Sequence, residues 1–109
     1  MTTDFITAED LASLRNAGDE HLLLDVRLPH EWDLCHIDGA TLIPLQVLPD
    51  QLAELEDWRE KPIYCLCHLG KRSAMAQGFL RQQGFTNVVN VLGGIDAWAC
   101  TVDPEMPRY

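Results

Sequence analysis

Short apolar runs alternate along the chain with segments of helical spacing, and few folds accommodate this pattern. The run at 22–26, Leu-Leu-Leu-Asp-Val, shows no apolar–polar alternation, which is typical of a strand buried on both faces. Runs of the same kind at 63–67 and 88–92 each follow a segment with helical spacing. Because strands joined through helices cannot pair as hairpins, the pattern predicts a mainly parallel sheet with helices on both faces, a three-layer α/β/α domain.

Capping and turn residues predict the boundaries of the first and last elements. A short strand at 5–6 precedes a helix that Thr7 is placed to cap and Gly18 to end. A brief apolar run at 40–43 ends at a proline and predicts a further strand. The proline-bearing tail 103–109 is expected to be irregular.

Hydrophobic spacing predicts two longer helices. Leucines within 48–55 recur at i, i+4 and i+7, the spacing of one face of a helix. The segment 72–83 is predicted to be helical, with Met75, Phe79 and Leu80 on one face.

Composition restricts the class of protein and its partners. The 109 residues, 47% hydrophobic and 23% charged, predict one domain over 1–109 with a core that needs no disulfide. Eight basic against 17 acidic residues give a net charge of −9, which argues against nucleic acid as a partner. No apolar run approaches about 18 residues and the start Met-Thr-Thr-Asp lacks the pattern of a signal peptide, so no membrane contact is expected. We expect a cytoplasmic protein whose four cysteines are not disulfide-bonded.

The segment 67–73, Cys-His-Leu-Gly-Lys-Arg-Ser, is where chemistry is expected, because open parallel sheets bind ligands beyond the carboxyl ends of their strands. Cys67 supplies a nucleophile, and Gly70 permits the positive φ with which backbone N–H groups curl around an anion. Lys71, Arg72 and the start of the next helix add positive charge. We expect the planar fork of Arg72 to hold loop carbonyls and Lys71 to point to solvent. The residues alone leave a second interpretation open, in which Cys67 is a buried strand-end cysteine and both cations are simply solvated.

Three motifs, in order along the chain, carry a resemblance over almost its whole length. The first comprises Leu24-Asp25-Val26-Arg27, Pro29, Glu31, His36-Ile37, Gly39-Ala40 and Ile43-Pro44-Leu45. The second is the loop 67–73, and the third is Leu92-Gly93-Gly94-Ile95 with Trp98. Together they resemble the rhodanese-like sulfurtransferase family. Cys35 departs from the family pattern, which commonly has Gly before His-Ile, and His68-Leu69 departs from more cationic loops.

The resemblance implies a five-stranded parallel sheet and a sulfur-transfer loop. Cys67 would carry a persulfide taken from a thiosulfate-like or persulfide donor, a small anion, and pass its sulfur to a nucleophilic acceptor such as a thiol, cyanide or a sulfur-carrier protein. The remaining loop residues would bind the donor, and these are His68, Leu69, Gly70, Lys71, Arg72 and Ser73. Structural support around the loop is expected from Asp25, Arg27, Glu31 and His36. No organic cofactor and no metal is required.

Two other function classes stay open beside the sulfurtransferase. One is a cysteine-dependent phosphatase or arsenate reductase on the related fold, and the other is a non-catalytic interaction module. Protein phosphatase loops of this general type place one residue more between Cys and Arg than the four that separate Cys67 from Arg72, so the shorter loop favours sulfur over phosphate. A non-catalytic module is expected to lack the nucleophile, and Cys67 is present.

Cys65 lies two residues before Cys67 and would point to the same face of a strand, deeper in the core. We interpret Cys65 as a core cysteine, with a resolving thiol as the alternative. A zinc site built from Cys35-His36, Cys65, Cys67 and His68 does not have the spacing of known zinc pairs, so no metal is expected.

Overall fold

The computed structural model describes residues 4–109, and these residues form a five-stranded sheet with helices on both faces. The strands are β1 (Phe5–Ile6), β2 (Leu22–Asp25), β3 (Thr41–Leu42), β4 (Ile63–Leu66) and β5 (Val88–Val91). Their order across the sheet is β1-β5-β4-β2-β3, and every neighbouring pair is parallel. The predicted α/β class and the parallel sheet are therefore confirmed.

Within residues 4–109, three α-helices and one 3-10 segment connect the strands, and a fourth α-helix follows β5. The helices are α1 (Ala8–Asn16), α2 (Pro29–Leu34), α3 (Lys71–Gln82) and α4 (Gly94–Thr101), and the 3-10 segment is Leu45–Trp58. As predicted, Thr7 caps α1, its hydroxyl accepting from the N–H of Asp10 at 3.1 Å, and the tail beyond α4 contains no regular element. None of the helices within residues 4–109 is both long and apolar enough to cross a lipid bilayer.

Two apolar clusters form the core, one on each face of the sheet. Alternate side chains of a strand contribute to opposite clusters: on β4, Cys65 joins the cluster that α3 and the 3-10 segment cover, and Leu66 joins the one that α1 and α4 cover. Leu80 on α3 and Leu11 on α1 are fully buried in these clusters. Full burial of such a leucine contributes about 2 kcal/mol, so both helical layers are tightly held over the sheet.

The predicted buried face of α3 is wrong in one position. Met75 is 65% exposed, whereas Leu80 is fully buried and Phe79 packs at the edge of the core. Ser73 and Ala76 lie on the buried face instead. Small residues there let the helix approach the sheet closely, and a pattern search weighted toward large apolar residues does not select them.

The segment predicted as a helix from its leucine spacing is a kinked 3-10 segment. Pro49 lies inside it and has no N–H to donate, and Gln51 has non-helical angles of φ −118° and ψ 19°. Leu48 and Leu55 are nevertheless buried, so the spacing correctly identified the inward side chains but not the type of helix.

Candidate functional site

Cys67 follows the last residue of β4 and begins the loop that leads to α3. Its Sγ accepts a hydrogen bond from the N–H of Gly70 at 3.0 Å and lies 3.3 Å from the hydroxyl of Ser73. Cys67 is 1% exposed and Ser73 is fully buried. The Gly70 N–H thus donates to the sulfur beside the N-terminus of a 12-residue helix, and the Ser73 hydroxyl donates as well when the sulfur is a thiolate, so both groups stabilise negative charge on sulfur.

The first turn of α4 holds the Cys67 loop through two backbone hydrogen bonds. The N–H of Ile95 donates to the carbonyl of Cys67 at 2.8 Å, and the N–H of Asp96 donates to the carbonyl of His68 at 3.2 Å. Gly94 makes this approach possible, because a Cβ there would lie 2.4 Å from both carbonyl oxygens. Gly70 has a φ of +111°, as the loop prediction required.

Arg72 pairs with Glu31 and not with loop carbonyls, which corrects the sequence-based expectation. Its Nη1 and Nη2 donate to the two carboxylate oxygens at 2.6 Å and 2.9 Å, a bidentate ion pair between α3 and α2. These bonds raise the pKa of Arg72, and negative charge on Cys67 acts in the same direction. The guanidinium therefore lies within electrostatic reach of the sulfur. Lys71 is exposed, as expected.

Asp25 and Arg27, two of the residues expected to support the loop, form a fully buried ion pair at the end of β2. Their shortest contact, from Arg27 Nη2 to Asp25 Oδ2, is 2.7 Å. Arg27 Nη1 donates to the backbone carbonyl of Glu31. Arg27 also donates to the carbonyl of Cys35. Although Cys35 departs from the family pattern, its backbone has ordinary extended angles. Arg27 thereby attaches α2 to the sheet, next to the site.

Tyr109 is a residue of the site that the sequence analysis missed. Its hydroxyl accepts from Arg27 at 3.0 Å and donates to Glu31 at 2.7 Å, and its ring stacks on His68 at 4.0 Å between centroids. The tail was predicted only to be irregular, and an isolated tyrosine in an irregular tail carries no periodic signal that would reveal a partner.

The ionisation of these groups follows from their contacts. Hydrogen bonds from Arg72, then from Tyr109 and from the backbone of Leu28, lower the pKa of Glu31 to about 2 despite its burial. Burial raises the pKa of Tyr109 to about 12. At neutral pH, Glu31 is therefore a carboxylate and Tyr109 a neutral donor.

Two predicted residues lie outside this network. His36 is exposed and stacks on Trp32 at 4.1 Å within its own segment, so it does not brace the loop. Cys65 is fully buried, and burial raises its pKa to about 12, which makes it a poor candidate for a resolving thiol. In the part of the chain that the structure describes, no three His, Cys, Asp or Glu side chains form a group that could hold a metal ion.

Comparison with known proteins agrees with the motifs and the sheet. Residues 7–100 match the Rhodanese-like domain family. The chain belongs to this family. The rhodanese-like fold accounts for the strand order and for the position of the Cys67 loop at the carboxyl edge of the sheet.

Named relatives of this rhodanese-like domain include sulfurtransferases. The chain is 41% identical over 106 residues to the probable adenylyltransferase/sulfurtransferase MoeZ of Mycobacterium tuberculosis, a match that covers 95% of this chain and 26% of that protein. The crystal structure of a rhodanese-related protein from Thermoplasma volcanium matches with a TM-score of 0.78 and 36% identity over 95% of both chains. The human single-domain sulfurtransferase TSTD1 matches with a TM-score of 0.79 and 25% identity over 91% of this chain and 97% of that one. The chain spans about a quarter of the length of the first curated relatives it matches.

Proposed function

We propose that this rhodanese-like domain transfers sulfane sulfur through a persulfide on Cys67. The observation that carries the proposal is the convergence of the Gly70 N–H and the Ser73 hydroxyl on Cys67 Sγ, beside a helix N-terminus. A sulfur atom in this position is held as a nucleophile, and its donors remain to stabilise charge on the product. The chemistry requires no organic cofactor and no metal.

The first half-reaction loads the enzyme. The Cys67 thiolate attacks the outer sulfur of thiosulfate or of a persulfide donor, a new S–S bond forms, and the donor's S–S bond breaks. Sulfite, or the donor's thiolate, leaves with the bonding electron pair, and the terminal sulfur of the Cys67 persulfide keeps a negative charge. Arg72 and Lys71 place positive charge directly after the Cys67 loop, in a chain whose net charge of −9 repels an anionic donor at long range.

The second half-reaction passes the sulfur to an acceptor. A thiol or cyanide attacks the terminal sulfur, and the S–S bond breaks to restore the Cys67 thiolate. With an adenylated sulfur-carrier protein the terminal sulfur is itself the nucleophile: it attacks the acyl carbon, and AMP leaves with the electron pair of the C–O bond. Two equivalents of a thiol reductant then cleave the S–S bond, which releases the thiocarboxylate and restores the Cys67 thiolate as the reductant becomes a disulfide. Because Cys67 is only 1% exposed, the acceptor must be small or must present its reacting group on a slender extended segment. The pairing of adenylyltransferase and sulfurtransferase in the name of the MoeZ relative supports a carrier that is adenylated before it receives sulfur. The thiolate chemistry suits the reducing cytoplasm.

The test is sulfur loading measured by intact mass. Thiosulfate should add one sulfur atom to the protein, and cyanide should remove it as thiocyanate with ping-pong kinetics. Cys67→Ser should abolish both steps. Cys65→Ala, a change at the matched buried thiol two residues away, should retain most of the activity.

Two results would contradict the proposal. Thiocyanate formation by Cys67→Ser at the wild-type rate would show that Cys67 is not the nucleophile. Robust hydrolysis of an aryl phosphate that disappears in Cys67→Ser would favour the phosphatase class instead.

A further inference from the structure

The tail that ends in Tyr109 is attached on both sides of the Cys67 loop. Arg108 forms an ion pair with Asp96 in the first turn of α4, with contacts of 2.9 Å and 3.2 Å. Tyr109 bonds to Glu31 on α2. The tail thereby lies against His68 in the loop, whose ring stacks on that of Tyr109 with an interplanar angle of 11°.

The Tyr109 hydroxyl shares a carboxylate oxygen with Arg72, which stands in the first turn of the helix that follows the Cys67 loop. Glu31 Oε2 accepts from Tyr109 at 2.7 Å and from Arg72 at 2.9 Å, while Oε1 accepts from Arg72 at 2.6 Å. Glu31 is 6% exposed, so water has little room to replace a lost donor. The hydroxyl is held from the other side by Arg27, which is itself fixed by the buried bond to Asp25.

These contacts give Arg72 one defined orientation. Arg72 is a long side chain on the exposed first turn of α3, about a third exposed, and would sample several rotamers without a fixed partner. A bidentate bond fixes the guanidinium only as well as the carboxylate is fixed. Besides Arg72, the N–H of Leu28 donates to Oε1 of that carboxylate at 3.1 Å, and the Tyr109 hydroxyl donates to Oε2.

We infer that Tyr109 is a positioning residue whose hydroxyl orients Arg72, through Glu31, for an anionic sulfur donor at Cys67. The inference rests on the proposed function and extends it to a residue outside the loop and outside the three motifs. The Tyr109 hydroxyl therefore contributes to the binding of the anionic sulfur donor. The ring, which packs on His68, is left in place when only the hydroxyl is removed.

The kinetic test compares Tyr109→Phe with Tyr64→Phe, the same chemical change on β4 away from the loop. Tyr109→Phe should raise KM for thiosulfate about three- to tenfold and change kcat less than twofold, as expected for a lost orienting hydrogen bond worth about 1 kcal/mol. Tyr64→Phe should leave both constants unchanged. A purely structural role for Tyr109 would lower the active fraction, and hence kcat, without raising KM.

A double-mutant cycle tests the path through Glu31. If Tyr109 acts on Arg72 through this carboxylate, Tyr109→Phe should have no further effect on KM in a Glu31→Ala background. An additive effect of the two changes would overturn the inference, as would an unchanged KM in Tyr109→Phe alone.

A second readout does not depend on sulfur transfer. In a Cys100→Ser background, which removes the exposed thiol, Cys67 is alkylated with anionic iodoacetate and with neutral iodoacetamide. The ratio of the two rates reports how well the site attracts an anion, and Tyr109→Phe should lower it about threefold. If the wild type transferred no sulfur but this ratio still fell, the proposed function would fail and the positioning role would stand. An unchanged ratio would overturn that role, and a Cys67 inert to sulfur and to both reagents would overturn both proposals.

Discussion

At the scale of single residues, Arg72 and Lys71 show how two neighbouring cations differ in what they can do. Both stand in the first turn of α3, and the sequence predicted that Arg72 would be anchored and that Lys71 would point to solvent. Arg72 holds Glu31 with two hydrogen bonds and lies within electrostatic reach of Cys67, whereas Lys71 is exposed. An exposed ammonium on a flexible stem contributes mainly screened charge, so position and not charge alone separates the pair.

Arg72→Ala should therefore lose much more sulfur-transfer efficiency than Lys71→Ala. We expect kcat/KM for thiosulfate to fall at least about tenfold in Arg72→Ala, since an oriented cation and the partner of Glu31 are both lost. Lys71→Ala should lose less than about threefold. Steady-state thiocyanate assays of both variants provide the measurement. Equal losses in the two variants, or none in Arg72→Ala, would contradict the assignment.

At the scale of elements, the junction of β5 and α4 determines whether the Cys67 loop can close. The first residues of α4 donate two N–H bonds to the loop carbonyls of Cys67 and His68. The loop is thus held by backbone groups of another element, independently of loop side chains. This arrangement requires Gly94, where the two backbones approach too closely for any Cβ.

Gly94→Ala should destabilise the protein by about 3 kcal/mol, because a Cβ at a φ of +59° would overlap the two carbonyl oxygens. Gly78→Ala is the matched control. Gly78 lies on helix α3, and a Cβ added there would meet no atom within 4 Å. That change should stabilise by roughly 0.5–1 kcal/mol. Urea unfolding followed by tryptophan fluorescence measures both. A Gly94→Ala protein as stable as the wild type would disprove the close approach.

At the scale of the whole molecule, a chain of polar contacts connects parts of the fold that the sheet alone leaves separate. It runs from Asp25 at the end of β2 through Arg27 and Tyr109 to Glu31 on α2, and then to Arg72 on α3. Its members are mostly buried, so removing one leaves another unsatisfied. The network therefore couples the stability of the molecule to the ionisation of Glu31.

The coupling predicts an acid-dependent loss of stability. The pKa of Glu31 is lowered from 4.5 to about 2 in the folded protein, so its contribution is complete above pH 4.5 and is lost as the pH falls toward 2. We expect Glu31→Gln to be less stable than the wild type by roughly 1–3 kcal/mol at pH 7, with the difference shrinking between pH 4.5 and 2. Urea unfolding at pH 7, 4.5 and 3 measures it.

Glu56→Gln serves as the control for this titration. Glu56 pairs with Arg59 at 2.6 Å, but both side chains are exposed. An exposed pair contributes little, so this variant should stay within about 0.5 kcal/mol of the wild type at pH 7. If Glu31→Gln lowered the free energy of unfolding by the same amount from pH 7 to 3, the network would not be the origin of the acid-dependent loss of stability. An equally large loss in Glu56→Gln would lead to the same conclusion.

Local sequence patterns were enough to predict the order of elements, the parallel sheet, the Thr7 cap and the location of the Cys67 loop, because periodicity, capping residues and glycines act over a few neighbouring positions. The same patterns did not predict the 3-10 conformation of Leu45–Trp58 or the burial of Ser73 and Ala76 on α3. Both features depend on which residues of other elements pack against these segments. The partner of Arg72 and the position of Tyr109 depend on the fold as a whole. Their bonds to Glu31 span 41 and 78 positions of the chain, and no local pattern encodes which distant side chain a folded backbone will bring within 3 Å.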